Sequence, residues 1–224
     1  PNNVIITGPN AGGKSTFIKS LAISILFSQT IGIAFSKSFS LTPFTLINTY
    51  LNIPDCKGKE SLFEAEMNRS KNHLESLAEL KKDEFSFIIM DEIFSSTNPQ
   101  EGISGAYAIA DKLASYKNSI SIITTHYSYL TNLDKNNKYK NYHIPIIRND
   151  KLITYPYKLN PGVSTQFIAI ELLKQKGFDA DLTRNAQTIC DNLNLSNIID
   201  NNSEDNGDNK VHDENKENDE NKEN

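Results

Sequence analysis

The sequence predicts an α/β fold, a mainly parallel sheet flanked by helices. Three observations predict it. Short β-branched or apolar runs alternate with helical segments along the body of the chain. A glycine-rich turn, Gly8–Ser15, stands between the first strand and the first helix. Two later apolar runs, Phe87–Met90 and Ile122–Ile123, end in polar residues, as strands do where they emerge at the carboxyl edge of a covered sheet.

In chain order, Asn3–Thr7 is β-branched and reads as a strand. Lys14–Gly32 is a helix closed by Gly32, and Thr45–Asn48 is a strand. Asn52–Lys59 is a loop marked by Pro54 and Gly58. Ser61–Leu80 is helical: Ser61 is a good N-cap, and Glu64 stands at the capping-box spacing. Phe85–Met90 is a buried strand, Ile103–Tyr116 a helix and Ser119–Thr125 a strand. Asn crowds Asp134–Asn141, which reads as a loop. Tyr142–Ile147 and Leu152–Tyr155 are placed to pair across Arg148–Lys151 as a hairpin. Helices over about Thr165–Lys176 and Asp181–Leu193 close the body.

Charge divides the chain in two. Of 224 residues, 23 are Lys or Arg and 28 are Asp or Glu, a net of −5. Residues 200–224 hold ten acids and three lysines, a net of −7, which leaves +2 on the first 199. The acidity belongs to the tail and does not exclude a nucleic-acid partner. That tail repeats DENKEN and has almost no apolar residue, so 200–224 is expected to be disordered and 1–199 to form one domain. Cys56 and Cys190, 134 positions apart, exclude a disulfide framework and a cysteine-cluster metal site, and suit an intracellular, reducing compartment. The apolar stretch Leu21–Phe35 is interrupted by Ser24, Ser28, Gln29 and Thr30, so it reads as a buried helix, and no membrane association is expected. Pro1 in place of Met marks an excised or partial chain.

Gly8-Pro9-Asn10-Ala11-Gly12-Gly13-Lys14-Ser15, followed by Thr16, fits G-x-x-x-x-G-K-[ST], the P-loop pattern. Backbone N–H groups must turn inward around phosphate oxygens, and side chains there would obstruct them. The helix that follows adds the positive end of its dipole. Lys14 then reaches the β- and γ-phosphates of ATP, and the Ser15 hydroxyl ligates Mg²⁺. By chance the pattern arises in about one chain of this length in a hundred. Asp91, at the end of an apolar strand, is placed to hold Mg²⁺, and Glu92 to orient or deprotonate the attacking water. His126, at the end of another strand, is placed to touch the γ-phosphate or that water. His73, His143 and His212 have no such context and read as structural.

Together these motifs resemble the ATPase domain of the MutS mismatch-repair family, a branch of the ABC ATPase class. The glycine turn matches with Asn10 as its distinctive member; the resemblance implies that Asn10 meets the γ-phosphate and its water. Ser61-Leu62-Phe63-Glu64-Ala65-Glu66-Met67 is similar to the family segment that replaces the ABC signature. Met90-Asp91-Glu92 and Thr124-Thr125-His126-Tyr127 resemble its Walker B and switch-histidine motifs, and Ser96–Gly102 its D-loop. Ser95-Ser96 stand where the family usually has Arg-Gly, Pro161–Phe167 follows a family turn only loosely, and Thr49–Lys59 departs from the usual Q-loop region, which marks a divergent branch. Near that Pro161 turn, the resemblance implies that Tyr155 or Tyr157 stacks on adenine.

The resemblance implies an ABC ATPase-like P-loop fold in which two domains, as a homodimer or a MutS-like heterodimer, close head to tail on two ATPs. Ser61 would then act on the partner's nucleotide. It also implies a clamp on double-stranded, mismatched DNA, carried by domains absent from this sequence. Two rivals stay open. Another ABC-type motor, SMC-like or transporter, would need an LSGGQ-type signature. A nucleotide-gated interaction module would bind ATP with negligible turnover, and the intact Asp91–Glu92 pair argues against it.

Overall fold

In the computed structural model the described residues are 2–9, 12–51, 53, 61–149, 152–164 and 169–204. The chain divides into two compact units, Pro1–Gln166 and Phe167–Asn224. The first unit is built on six strands in the order β2-β3-β4-β1-β5-β8. Here β1 is Asn3–Thr7, β2 Leu46–Tyr50, β3 Ser86–Asp91, β4 Ser119–Thr124, β5 Tyr139–His143 and β8 Asn160–Pro161. The first five run parallel and β8 joins β5 antiparallel.

Alternation along the strands separates two cores. On one face Ile6, Phe87, Ile89 and Ile122 pack against Ile18, Ala22 and Ile25 of helix α1, Lys14–Ile31. On the other, Ile5, Tyr50, Ile88, Met90 and Ile123 meet Leu77 of helix α2, Leu62–Ala78, and Ala106, Ala110 and Leu113 of helix α3, Pro99–Leu113. With both faces covered, β3 is buried through Met90 and first opens at Asp91, which explains its unbroken apolar run. Helix α1 ends as its sequence suggests: Gly32 adopts φ 73° and returns its N–H to the last turn.

Several segments differ from the sequence reading, among them the second strand, which runs over Leu46–Tyr50 rather than Thr45–Asn48. Helix α3 starts four residues earlier than Ile103, because Asn98 caps Gln100 N–H at 3.0 Å and Pro99 occupies the first turn, where its missing N–H costs nothing. The stretch Asp134–Asn141, expected as loop, supplies Tyr139–Asn141 to β5. Tyr139 is fully buried there and donates its hydroxyl to Ala110 O at 2.9 Å. The hairpin forms, but from Ile147–Asn149 (β6) and Leu152–Thr154 (β7); Tyr142 and His143 belong to the main sheet and Ile144–Ile146 are in neither. A 3₁₀ helix, Ser128–Asp134, follows β4.

In the second unit helices α4, Ala169–Gln175, and α5, Ala180–Glu204, form a hairpin around Gly177, which adopts φ 81°. Helix α5 continues past residue 199. The DENKEN repeats lie outside the described residues.

Candidate functional site

The register sets the site. Ile6 aligns with Thr124, and Thr124 with Asp91, so β1, β4 and β3 reach the same edge together. Just past that edge come Glu92, one residue after Asp91, and Gly8 and His126, each two residues beyond the aligned pair, and the three emerge on the same side of the sheet. The Thr7 hydroxyl anchors the edge by accepting from Ser164 N–H at 2.8 Å.

The glycine turn closes with Gly12 N–H donating to Pro9 O at 2.9 Å. Gly13 adopts φ 92°, and a Cβ there would lie 2.9 Å from the Tyr157 ring, so glycine is required on both counts. Helix α1 begins immediately after, with no acidic residue in its first turn to compensate its dipole.

Lys14 is 2 % exposed. Its ammonium donates to Gly8 O at 2.8 Å and lies 3.3 Å from Glu92 Oε1. The other carboxylate oxygen of Glu92 is hydrogen-bonded to His126 Nδ1. Burial pushes the Glu92 pKa up, but the His126 hydrogen bond and the Lys14 charge outweigh it, and the net position is below the ordinary carboxylate range. Glu92 is thus held ionised between a cation and an imidazole. Asp91 accepts from the Thr124 hydroxyl. Ser15, in the first turn of α1, and Asp91 are both partly exposed. As hard oxygen donors they suit Mg²⁺. Among the described residues no group of three or more His, Cys, Asp or Glu is placed to hold a metal ion, so a cation here would need water or substrate oxygens to complete its shell.

The loop after β3 is the least expected part of the site. Glu92 and Phe94 both adopt φ 55°, left-handed backbone without glycine. The Phe94 peptide is gripped on both sides: its N–H donates to the Tyr50 hydroxyl at 3.3 Å, and its carbonyl accepts from the Tyr127 hydroxyl at 2.9 Å. A Cβ on Gly102 would meet Phe94 O at 2.6 Å and the Tyr127 hydroxyl oxygen at 2.7 Å, so a side chain there would break the grip. Two residues on, Ser96 donates to Glu66 Oε2 at 2.6 Å. Glu66 is 4 % exposed, and burial, together with this nearby carboxylate, raises the Tyr50 pKa.

Of the residues singled out in the sequence, the structure brings together Gly8, Lys14, Glu92 and His126, with Asp91 beside Thr124. Gly12, Gly13, Ser15 and Thr16 follow in the same turn and helix start, while Asn10 and Ala11 lie outside the described residues. Ser61 caps α2, accepting from Glu64 N–H at 3.2 Å, and is exposed. Tyr157, not Tyr155, is the tyrosine against Gly13. Tyr50 went unread because no local pattern marks it; its place comes from pairing beside Met90.

A family model, MutS domain V, matches residues 4–194. The chain belongs to the MutS family. Among its curated relatives, the DNA mismatch repair protein MutS of Persephonella marina is 32% identical over 187 residues, 83% of this chain and 21% of the relative. The protein of the same name from Thermotoga petrophila is 31% identical over 206 residues, 91% of this chain and 25% of its own length. That from Streptococcus sanguinis is 29% identical over 191 residues, 84% and 22% respectively. The chain thus spans about a quarter or less of the curated relatives it matches. No helix among the described residues is long and apolar enough to cross a membrane.

Proposed function

We propose that this MutS domain V is an ABC-type P-loop ATPase that binds and hydrolyses ATP with Mg²⁺. The observation that carries the reading is Lys14, a nearly buried ammonium at the open edge of the sheet, behind a glycine turn and paired with Glu92. A buried cation needs an anion. Glu92 supplies one here, and a triphosphate in the turn would compete for the same ammonium, leaving the carboxylate to face water.

The roles follow from position. Backbone N–H groups of the glycine turn, Gly13 among them, and of the start of α1 bind phosphate oxygens. The family resemblance, rather than position, assigns Asn10 to the γ-phosphate and its water. Lys14 neutralises the phosphate charge that grows during transfer. Ser15 and Asp91 would hold Mg²⁺, which supplies further charge neutralisation when bound. Glu92 accepts a proton from the attacking water, and His126 orients that carboxylate through Nδ1. Attack is in line on the γ-phosphate, so positioning and electrostatics carry the rate rather than covalent chemistry. Tyr157 packs on the turn and offers a ring to adenine.

The name of the relatives, DNA mismatch repair protein MutS, supports a wider reading: in the longer protein this ATPase drives a clamp on mismatched double-stranded DNA in mismatch repair. Two domains close head to tail on two nucleotides, as a homodimer or with a related chain. Two substitutions test the core of it. Lys14→Ala is expected to weaken MgATP binding by calorimetry by about a hundredfold, because a charge-assisted contact of several kcal/mol is lost. Glu92→Gln is expected to keep that affinity and lose about a hundredfold or more in hydrolysis. Unchanged affinity in the first variant would remove the phosphate site. Tight binding without turnover in the unsubstituted protein would favour a nucleotide-gated module instead.

A further inference from the structure

We propose that Glu66 is a positioning residue for Glu92, acting through Ser96 and Tyr50 on the loop between them. The inference rests on the reading of Glu92 as the base. Glu92 is not carried on a strand but on the first residue of a loop with two left-handed non-glycine positions. Each is unfavourable for a residue with a side chain and persists only where the surroundings over-determine it. Tyr127 fixes the Phe94 carbonyl, and Tyr50 fixes the Phe94 N–H. The Phe94 ring is fixed too, edge-on to Phe63 at 5.4 Å between centroids and close enough to Gly105 that a Cβ there would lie 2.7 Å from it.

Glu66 joins the remaining handles. The Ser96 hydroxyl donates to Glu66, and the Tyr50 hydroxyl, which accepts from Phe94 N–H, keeps its own hydrogen free to face the neighbouring Glu66 carboxylate. One buried carboxylate thereby ties the end of β2, helix α2 and both halves of the loop. A leucine in that place would be cheaper to bury. What a leucine lacks is direction: it has no oxygen to accept the Ser96 hydroxyl and to face the Tyr50 hydroxyl, and so cannot orient the backbone of Phe94 two residues from Glu92. The tie also makes α2, capped by the exposed Ser61 five residues earlier, move with the loop that carries Glu92.

The test uses the full chain with four substitutions, Glu66→Leu, Glu66→Gln, Tyr50→Phe and Ser96→Ala, and Glu92→Gln as reference. MgATP affinity is measured by calorimetry and hydrolysis by single turnover. Glu66→Leu is expected to lower the hydrolysis rate about 10–100-fold, the scale of a displacement near 1 Å, with affinity changed less than about twofold. Glu66→Gln is expected to recover part of the rate, since its amide oxygen still accepts from Ser96 and its NH₂ can donate to the Tyr50 oxygen. Tyr50→Phe and Ser96→Ala, each removing one oxygen, should fall between, and Tyr50→Phe should cost little more once Glu66 is Leu. A role in stability alone would shift melting without splitting rate from affinity. If Glu92→Gln is inactive while Tyr50→Phe and Ser96→Ala keep the full rate, the positioning role is overturned, whether or not Glu66→Leu folds. If Glu92→Gln hydrolyses normally, the reading of Glu92 fails first and this inference goes with it.

Discussion

At Phe94 two single-residue effects oppose each other. Its φ of 55° favours glycine, yet its side chain is 5 % exposed and packed on Phe63 and Gly105. Phe94→Gly would relieve about 1 kcal/mol of backbone strain and forfeit about 3 kcal/mol or more of aromatic burial. The ring wins, so the substitution is expected to lower unfolding free energy by about 2 kcal/mol in urea titration; a stabilised variant would show that strain dominates. Glu92 gives a second residue-scale outcome. Its folded pKa is depressed, so its contribution to stability is present above the unfolded value of about 4.3 and is lost as pH falls through the lower folded value. Glu92→Gln should therefore flatten the acid limb of the stability profile below about pH 4. An unaltered limb would mean that the Lys14 and His126 contacts do not bias its ionisation.

Helix α2 shows what an element gains and loses by burying polar groups. Its packed stripe is Glu66, Ser70, His73 and Leu77, spaced as one helical face, and three of the four are polar. His73 is 3 % exposed, and neither ring nitrogen has a well-formed hydrogen bond. Burial first, then the charge of Arg69, pushes its pKa down to about 4 against a weak opposing contact with the Thr49 backbone. A histidine that stays neutral when folded is protonated first in the unfolded chain. Stability should then fall as pH drops from the unfolded value of about 6.5 to about 4, by about 3 kcal/mol at most, and level off below. In His73→Leu the urea midpoint should lose that slope; the same slope in the variant would assign it to other groups. Helix α2 also shows how far sequence reaches. Ser61 and Glu64 announce its start because capping is a rule of a few neighbouring residues. The glycine turn and the acid at the end of β3 are legible for the same reason. The tie between Glu66, Tyr50 and Ser96 is not, because it depends on β2 pairing with β3 across some forty residues. Tyr139 was hidden likewise: an Asn-rich stretch looks like loop until its hydroxyl is seen to donate to Ala110 O and to pair with the Ser121 hydroxyl. Asn98–Pro99 looks like a turn until one sees that cap and proline begin α3.

For the molecule as a whole, the proposed head-to-tail closure makes a prediction that one chain alone cannot satisfy. Lys14 stands behind the glycine turn at one end of the site, while Ser61 sits exposed at the start of α2, its hydroxyl on Glu64 N–H. A helix start favours anions, and α1 already offers its own to the phosphates. If two copies close on each other, the start of α2 supplies a second approach to the same nucleotide, and each site takes Lys14 from one chain and Ser61 from the other. Lys14→Ala and Ser61→Arg should each be inactive alone. In a mixed dimer, one composite site then carries both lesions and the other carries neither. Random pairing makes about half the dimers mixed, with one intact site of two, so mixing the two variants should restore about a quarter of the unsubstituted hydrolysis if the sites contribute additively. Ser61→Ala is the control for lost capping, which costs about 1 kcal/mol and should leave most of the activity. No recovery in mixtures shown by mass to contain mixed dimers would confine each site to one chain. Full activity of Ser61→Arg alone would reduce Ser61 to the cap of α2.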